Sequence, residues 1–535
     1  MRTLNFDFIV VGAGSAGCVL ANRLSANGRH SVLLLEAGPE DHFWTRIPLG
    51  FGKLIDDPAA NWCYRSEPEE STFERRIPIP RGRILGGSSA INGLVYARGL
   101  PYDYDTWAAR GNDGWSFAEV APLFKRMEST DIGDPAIRGR NGPLKVTESG
   151  DQSPLYDALF AAGKEMGLQH NPDYNGAFIE GVVKTQVTTH KGRRMSTARC
   201  YLDAARSKSN LTVFTDALAT RLILGERGCE GVELLRGSEP MQAMANVETI
   251  VSAGAINSPQ LLELSGIGDP QVLRERGITP RHSLPGVGEN FIDHAGPRLH
   301  YSIKQKRVTY NDRSHGLALV WEVMRYALFR RGFLSIPSAP LLAFFKSRPE
   351  LDLPDSQVHL VPYQIADVKK RKLARNPGMT LTVNQMRPDS RGNIHIQSNQ
   401  HQEPPAIRFN FFSAETDQQV LCDAVRYARK LMQTNAMASF VDAELEPGLD
   451  INTNGEIVEW MRGVAETVYH PAGTCRMGPD DQSVVDARLR VHGIQRLRVA
   501  DASIMPTMVS GNSNAACIMI GEKASDMILE DLKAR

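Results

Sequence analysis

The amino-acid sequence lacks the signals of several large protein classes. Its 61 Lys and Arg residues balance its 61 Asp and Glu residues, so no net charge attracts the chain to nucleic acid or to an anionic bilayer. Its seven cysteines form no CxxC pair and no regular spacing, which disfavours a zinc site and a disulfide framework. We therefore expect no metal centre, no nucleic-acid partner and a reduced, cytoplasmic location.

Secretion and membrane signals are also scarce. Residues 6–11 run into glycines without a long apolar region or a cleavage site, and they are interpreted as a first strand. No stretch reaches the ~18 uninterrupted apolar residues of a membrane span. The most membrane-like segment, residues 317–336, is interrupted by Glu322, Arg325 and the pair Arg330-Arg331, which predicts an amphipathic helix packed on the body. An integral span is thus not expected, whereas peripheral membrane association stays open.

The length of the chain indicates two domains. Single cores stop growing beyond roughly 250–300 residues, and this chain has 535. There is no low-complexity linker and no evident internal repeat. The basic run at residues 369–372 is predicted to be a solvated loop.

A glycine-rich loop follows the first predicted strand. Gly12, Gly14 and Gly17 form a GxGxxG pattern between an apolar strand and a segment with helical spacing. The first glycine permits a tight turn, the second lets the backbone approach a pyrophosphate, and the third lets the helix pack on the strand. A second apolar strand ends at Glu36, which is placed to accept a hydrogen bond from a ribose hydroxyl. The pattern predicts that the chain binds a dinucleotide cofactor. It disfavours NADP and does not distinguish NAD from FAD.

A second glycine cluster lies at residues 82–92. Gly86, Gly87 and Ser88 would let the backbone lie against a flat ring or a phosphate. Asn92 is able to pair with the edge of a heterocycle. The alternative interpretation of this cluster is an ordinary surface turn.

Three long motifs, in order, carry a resemblance to a known family. The first is residues 82–92 continuing to Gly99 and Asp105, the second is residues 254–268, and the third runs from His470 to Asn514. Over essentially its whole length the chain resembles the glucose-methanol-choline (GMC) family of flavin oxidoreductases, most closely choline-dehydrogenase-like bacterial alcohol dehydrogenases. The resemblance implies that the dinucleotide is FAD.

The resemblance also implies the fold class. We expect an α/β chain, α+β overall, with a Rossmann-like FAD-binding domain and an interleaved substrate domain on a mixed or antiparallel sheet with helices. The FAD-binding domain is expected at residues 1–155, 196–300 and 466–535, and the substrate domain at residues 156–195 and 301–465.

Local patterns agree with that expectation. They predict strands at residues 210–214 and 248–252, and a helix at residues 258–264 that is opened by Ser-Pro. Further strands, which would form one wall of the substrate cavity, are predicted at residues 357–361, 379–383 and 393–396.

Two polar residues of the third motif are predicted to be catalytic. Neutral histidine, with an ordinary pKa of about 6.5, suits removal of a hydroxyl proton, and His470 is assigned as this general base. A histidine beside a proline turn is more often a satisfied core residue, but the place of His470 in the motif favours the catalytic role. Asn512 is assigned to orient the same hydroxyl. If the match of this sequence to the motif is shifted by two residues, Asn514 takes that role. Otherwise Asn514 is expected to contact the flavin.

The remaining cofactor contacts are implied by the resemblance. Asp501 is expected at the phosphate and ribitol of the flavin, the backbone of Ala219 at adenine, and Asn92 near the isoalloxazine ring. Some members of the family attach FAD through a histidine just before the Asn of the first motif; Ile91 stands there, so FAD is expected to be non-covalent. The other predicted cofactor-binding residues are Ser15, Ala16, Ala37, Arg83, Gly93, Val95 and Ala502.

The expected function is FAD-dependent oxidation of a primary alcohol to an aldehyde, with electrons passed to a quinone, a cytochrome-linked carrier or another acceptor. One alternative is an oxidase that uses oxygen. A second is a flavin-containing lyase or decarboxylase of the same fold, and a third is a non-catalytic flavin-binding protein. Candidate substrates run from choline to polyethylene glycols and hydroxymethyl heterocycles, and no segment marks the acid and aromatics that a choline site would want. The oligomeric state stays open.

Overall fold

The structure is a computed structural model that describes residues 2–367 and 372–534. Most of the basic run that was predicted to be a solvated loop lies outside the described residues. Two large sheets dominate the fold. Their strands are, in chain order, β1 (Arg2–Val11), β2 (Val32–Leu35), β3 (Gly181–Lys184), β4 (Leu211–Phe214), β5 (Ala217–Gly225), β6 (Gly228–Arg236), β7 (Glu239–Val251), β8 (Arg298–Ile303), β9 (Leu341–Phe345), β10 (Ser356–Val361), β11 (Gly378–Gln385), β12 (Val441–Glu446) and β13 (Leu497–Val499).

Helices cover both sheets. In chain order they are α1 (Ser15–Leu24), α2 (Phe51–Leu54), α3 (Pro101–Ala109), α4 (Phe117–Met127), α5 (Pro154–Glu165), α6 (Asp203–Ala205), α7 (Gly254–Leu264), α8 (Pro270–Glu275), α9 (Gly316–Phe329), α10 (Glu415–Met432), α11 (Asn454–Val464) and α12 (Asn514–Ala534). None of the helices within these described ranges combines the length and the apolar character that a membrane crossing requires.

The first sheet is Rossmann-like. Its order is β4-β2-β1-β7-β6-β5, with β13 beside the second half of β7. Strands β4, β2, β1, β7 and β13 run parallel, while β5, β6 and β7 form an antiparallel meander. Strand β2 and the end of β1 are buried on both faces, as their unbroken apolar sequences require. The predicted strands at 210–214 and 248–252 and the α/β fold class are confirmed.

The second sheet is antiparallel throughout, in the order β12-β8-β11-β10-β9-β3. The strands predicted at 357–361 and 379–383 lie at its centre as β10 and β11. The strand predicted at 393–396 is present as Asn393–His395, but its expected place in the cavity wall was wrong, because it pairs with Ala406–Arg408 in a separate two-stranded ladder outside the sheet.

The helix predicted at residues 258–264 begins four residues earlier, at Gly254. Pro259 lies inside this helix and has no N–H for the carbonyl of Ala255, the acceptor one turn back. The hydroxyl of Thr474 donates to that carbonyl at 2.6 Å, which satisfies it. The Ser-Pro pair therefore does not mark the start of α7.

Two apolar cores correspond to the two sheets. The first contains β1, β2, β7, α1 and α12, and the second contains the antiparallel sheet and α10. Tyr64, Ile77 and Ile79, which fall in the segment assigned to the FAD-binding domain, pack in the second core. The domain boundaries stay predictions. The segment that contains these three residues was assigned to the FAD-binding domain, but it packs in the core of the antiparallel sheet.

Candidate active site

A large cavity lies between the two sheets. Its volume is about 2060 Å³, which exceeds the roughly 300–1,000 Å³ of an ordinary small-ligand pocket. It extends from the carboxyl ends of β1 and β2 to the face of the antiparallel sheet. The cavity has room for a dinucleotide and a second, smaller molecule.

The GxGxxG loop closes one end of the cavity. Gly12 has φ of +100°, and a Cβ there would lie 2.4 Å from the carbonyl oxygen of Ser252. A Cβ on Gly17 would lie 1.8 Å from the carbonyl oxygen of Gly12, so this glycine serves the packing of α1 on the loop and does not line the cavity. A Cβ on Gly14 would meet no protein atom within 4 Å, and Gly14, Ser15 and Ala16 all line the cavity. The space beside Gly14 is thus free for a ligand.

Glu36 lies at the end of β2, and it lines the cavity together with Ala37. Its carboxylate accepts hydrogen bonds from the backbone of Ala13 at 3.1 Å and of Gly38 at 2.9 Å. Burial raises the pKa of this carboxyl to about 7. Two backbone donors leave lone pairs on the carboxylate that a ribose hydroxyl can use.

The second glycine cluster lies against the first. Gly86 donates from its backbone to the carbonyl of Ala13 at 2.8 Å, and a Cβ on Gly87 would lie 2.7 Å from Cα of Gly14. Gly87 and Ser88 line the cavity, whereas Gly86 lies behind the lining. The cluster is therefore part of the cavity wall and not a free surface turn. The predicted residues Arg83, Asn92, Gly93 and Val95 also line the cavity.

Asn92 is held by an arginine that the sequence did not reveal. Its side-chain oxygen and its backbone carbonyl accept from the guanidinium of Arg194 at 2.8 and 2.7 Å. Arg194 is buried, and burial lowers its pKa to about 9. The arginine fixes the orientation of the Asn92 amide at the cavity.

The C-terminal predictions fall on the same cavity. Asp501, Ala502, Asn514 and Ala219 line it. The carboxylate of Asp501 accepts from the backbone of Gly254 at 2.8 Å and from the hydroxyl of Ser258 at 2.6 Å, so it holds the start of α7. The side-chain oxygen of Asn514 accepts from the hydroxyl of Ser15 at 2.7 Å, which ties the first turn of α12 to that of α1.

These features fit FAD. Helix α1 begins at Ser15, and its N-cap residue Gly14 has no side chain to cap it, so the first N–H groups of the helix are available to a phosphate. The buried Nε of Arg83 has no hydrogen-bond partner among the residues that the structure describes. The residues that would hold the adenosine and pyrophosphate are Glu36, Arg83 and the backbone around Gly14, and those nearer the flavin ring would be Asn92 and the start of α12.

His470 and Asn512 meet at the other part of the cavity. The amide nitrogen of Asn512 lies 2.9 Å from Nε2 of His470, and its oxygen accepts from Gln357 at 3.4 Å. Asn514, the alternative partner, bonds Ser15 instead. The amide of Asn512 therefore donates to Nε2 of His470, which carries a lone pair.

The other nitrogen of His470 faces a second buried histidine. Nδ1 of His470 lies 2.9 Å from Nδ1 of His294, and Nε2 of His294 lies 2.8 Å from the carbonyl oxygen of Met386. A carbonyl only accepts, so Nε2 of His294 carries the proton and its Nδ1 is an acceptor. His470 consequently carries its proton on Nδ1 and presents the Nε2 lone pair to the cavity.

Both histidines are neutral near pH 7. Burial lowers the pKa of His294 to about 4. Burial, and then the charges of His294, His359 and Arg81, lower the pKa of His470 well below its usual range. A neutral imidazole with an exposed lone pair is a proton acceptor.

The backbone of His470 is fixed by a buried carboxylate. Oδ1 of Asp293 accepts from the backbone N–H of His470 at 2.9 Å, and Oδ2 accepts from the hydroxyl of Thr467 at 2.5 Å. Burial raises the pKa of Asp293 to about 6. Tyr469, directly before the base, has φ of +69°, a conformation that such contacts sustain.

The antiparallel sheet supplies the wall beyond His470. Its cavity face has two rows across neighbouring strands, with Arg298, Thr382 and His359 in one row. The second row has His300, Thr380 and Val361. The strands predicted at 357–361 and 379–383 to form a wall of the cavity contain four of these residues, but none of the six was predicted individually, because only strand pairing brings them together.

Comparisons with known proteins agree with the geometry. The family model described as GMC oxidoreductase matches residues 6–296 with its N-terminal part and residues 388–521 with its C-terminal part. An oxygen-dependent choline dehydrogenase of Shigella flexneri serotype 5b (strain 8401) is 41% identical over 538 aligned positions, which cover 98% of this chain and 96% of that protein.

Solved structures of the same fold include two oxidases. Pyridoxine 4-oxidase from Mesorbium loti superposes with a TM-score of 0.88 at 28% identity, covering 97% of this chain and 98% of the other. Formate oxidase from Aspergillus oryzae RIB40 superposes with a TM-score of 0.92 at 25% identity over the whole of both chains.

Proposed function

The chain belongs to the GMC oxidoreductase family and is an FAD-dependent oxidoreductase acting on alcohol donors, and we propose that it oxidises a primary alcohol to an aldehyde with His470 as the base. The observation that carries this proposal is the 2.9 Å contact between His470 and Asn512 in the cavity that the GxGxxG loop also lines.

The protein supplies the proton acceptor and the orientation. FAD, when bound, supplies the acceptor for the hydride that leaves the alcohol carbon. Nε2 of His470 takes the hydroxyl proton, and the amide of Asn512 donates to the alcohol oxygen. An alcohol oxygen that enters between these two side chains replaces their mutual hydrogen bond without leaving either group unpaired. The aldehyde then leaves, and the proton on His470 passes to solvent.

We infer that FAD is held without a covalent bond. Ile91, which lines the cavity and is buried, stands at the position where a tethering histidine is found in some family members, and a hydrocarbon side chain forms no such bond. Glu36, Arg83 and the uncapped start of α1 are the groups proposed to retain it.

The proposed substrate is neutral, with an apolar body. The wall beside His470 carries Arg298, His300 and His359, and among the described lining residues no carboxylate comes from the large antiparallel sheet. A quaternary ammonium would find no counter-charge on this wall. Apolar residues that also line the cavity are Leu319, Val323, Phe333, Leu334, Val361, Ile365 and Leu373.

A quinone is the proposed electron acceptor, with oxygen as the second candidate. Oxygen is kept as the second candidate because one relative is called an oxygen-dependent dehydrogenase and two structural neighbours are called oxidases. Both acceptors use the same reductive half-reaction, so His470 and Asn512 keep their roles in either case.

Anaerobic mixing with a panel of alcohols tests the proposal. A neutral primary alcohol should bleach the bound flavin, and choline should do so far more slowly. Adding a quinone or oxygen to the reduced protein then identifies the acceptor by the rate of reoxidation. A protein whose flavin no alcohol reduces would contradict the proposal and favour a lyase of the same fold.

A further inference from the structure

Helix α9 presents an apolar face to solvent. Leu317, Trp321 and Leu328 are 88%, 62% and 71% exposed. The apolar stripe, as we name it, repeats at helical spacing and consists of Leu317, Val320, Trp321, Met324 and Leu328. The predicted amphipathic helix is therefore present and packs on the body, with Glu322 and Tyr326 buried, while its apolar stripe faces solvent.

The inner side of α9 explains this reversed orientation. Glu322 is buried and accepts from the backbone of Phe333 at 3.1 Å, and the hydroxyl of Tyr326 donates to the carbonyl of Gly192 at 3.0 Å. A Cβ on Gly332 would lie 2.3 Å from the carboxylate of Glu322, so the turn after the helix closes around this acid. Polar anchors hold α9 by its inner face and leave the stripe outside.

Basic residues flank the stripe. Arg330 and Arg331 follow the helix and are exposed, and the hairpin that carries Lys191 and Arg193 touches Arg330. We call Lys191, Arg193, Arg330 and Arg331 the basic rim. The sequence of residues 313–334 and 189–194 contains one acid, Glu322, and that acid is buried. An exposed apolar stripe beside an excess of positive charge is typical of a helix that lies in a membrane interface.

The same helix borders the cavity. Leu319, Val323, Tyr326 and Ala327 line it from the inner side of α9. Any surface that covers the stripe therefore lies beside one rim of the cavity.

We propose that the stripe and the basic rim dock on an anionic lipid bilayer. A second copy of the chain fits less well, because a two-fold contact through this face would bring two basic rims together. Anionic headgroups neutralise the rim, while the stripe enters the boundary between headgroups and acyl chains. The cavity rim then faces the lipid phase, from which an apolar alcohol or a quinone reaches it. Binding to a bilayer does not require the protein to oxidise an alcohol, so failure of the docking proposal is distinguishable from failure of the proposed reaction.

Vesicle flotation of the full-length holoprotein tests the docking. The probes are vesicles of phosphatidylcholine alone and vesicles in which about one third of the lipid is phosphatidylglycerol. We expect the protein to float with the anionic vesicles and to bind the neutral ones roughly tenfold less or weaker. Failure to float with either kind of vesicle would overturn the proposal.

Matched variants separate the stripe from the rim. Trp321→Ser with Leu328→Ser should abolish flotation, and Arg330→Glu with Arg331→Glu should remove the preference for anionic lipid. The controls are Phe178→Ser with Leu449→Ser, which are 60% and 63% exposed elsewhere, and Arg29→Glu with Arg227→Glu. Controls should float like the parent and all variants should keep its thermal midpoint. Stripe and rim variants that float like the parent would overturn the proposal. A parent protein that is a dimer and binds no vesicles, with a stripe variant that is a monomer and binds none either, would also overturn it.

Discussion

Nδ1 of His294 lies 2.9 Å from Nδ1 of His470, and the two rings meet edge to face at 89°. Because Nε2 of His294 is committed to the carbonyl of Met386, the contact determines which nitrogen of His470 holds the proton. The sequence motif predicts His470 as the base, and the structure adds His294 as the residue that sets its tautomer.

His294 is therefore expected to act through His470. His294→Leu removes the acceptor for Nδ1–H of His470, and flavin reduction should slow by roughly 10–100-fold, the scale seen when the partner that orients a metal-bound histidine is removed. His294→Asn, whose oxygen can accept in place of Nδ1, should lose less. Burial is the main cause of the low pKa of His470, and repulsion from His294, once His294 is protonated in acid, lowers that pKa further, so the acid limb of the rate profile should move to higher pH in His294→Leu. Equal rates for the two variants would contradict the orienting role.

Glu36→Gln should weaken FAD retention. Loss of a charged acceptor costs about 1.5–3 kcal/mol, which is about 10–150-fold in affinity. Burial raises the pKa of Glu36 in the FAD-free chain to about 7, so FAD affinity of the parent should rise as pH rises through about 7 and level off above it. Titration of the apoprotein with FAD across pH 5.5–8.5 measures both effects, with the exposed Glu226→Gln as the control.

The same carboxyl affects the stability of the apoprotein. Its folded-state pKa lies above the ordinary 4.5, so the unfolded chain releases this proton first as pH rises. The contribution of Glu36 to the free energy of unfolding is thus present below about pH 4.5 and is lost as pH rises through about 7. Glu36→Gln should flatten this dependence in thermal unfolding, and an unchanged slope would contradict the cause given for the pKa.

Thr474→Val should destabilise the fold around α7. The hydroxyl of Thr474 satisfies the carbonyl of Ala255 that Pro259 leaves unpaired, and a buried carbonyl without a donor costs about 1–3 kcal/mol. The thermal midpoint at a fixed scan rate should fall, whereas Thr220→Val, which removes a half-buried strand hydroxyl, should change it little. A Thr474→Val midpoint equal to the parent would show that the carbonyl finds another donor.

Denaturation tests how FAD is attached. Acid or heat should release all flavin into the supernatant, because Ile91 offers no atom for a bond to the ring. Flavin that precipitates with the polypeptide would mean that another side chain forms the link.

Local patterns were sufficient for part of this architecture. The glycine spacing, the buried strands β1 and β2 and the acid that follows them are consecutive in sequence, so they could be predicted without tertiary information. The predictions failed where distant segments decide the outcome. The start of α7 depends on Thr474, and the side of α9 that faces the body depends on Glu322, whose burial has no signal in the local sequence.

The residues of the candidate site also differ in whether the local sequence indicates them. His470 and Asn512 stand in a motif and could be proposed from it. His294 is 176 residues from His470, and Arg194 is 102 residues from Asn92, and neither has a local signal. Residues such as His359 reach the cavity only because strand register places them on the face that lines it.

The role of His470 as the base is tested most directly by rapid-mixing measurement of anaerobic flavin reduction as a function of pH. In the parent the rate should fall only in acid, below the ordinary histidine pKa of about 6.5, because burial lowers the pKa of His470. His470→Ala should keep its flavin and lose on the order of 10²–10⁴ in rate, and Asn512→Ala should lose less because the proton acceptor remains. His401→Ala, another histidine of the cavity lining, should behave like the parent. If His470→Ala reduces its flavin within a few-fold of the parent and with the same pH profile, the proton goes elsewhere and His470 is not the base.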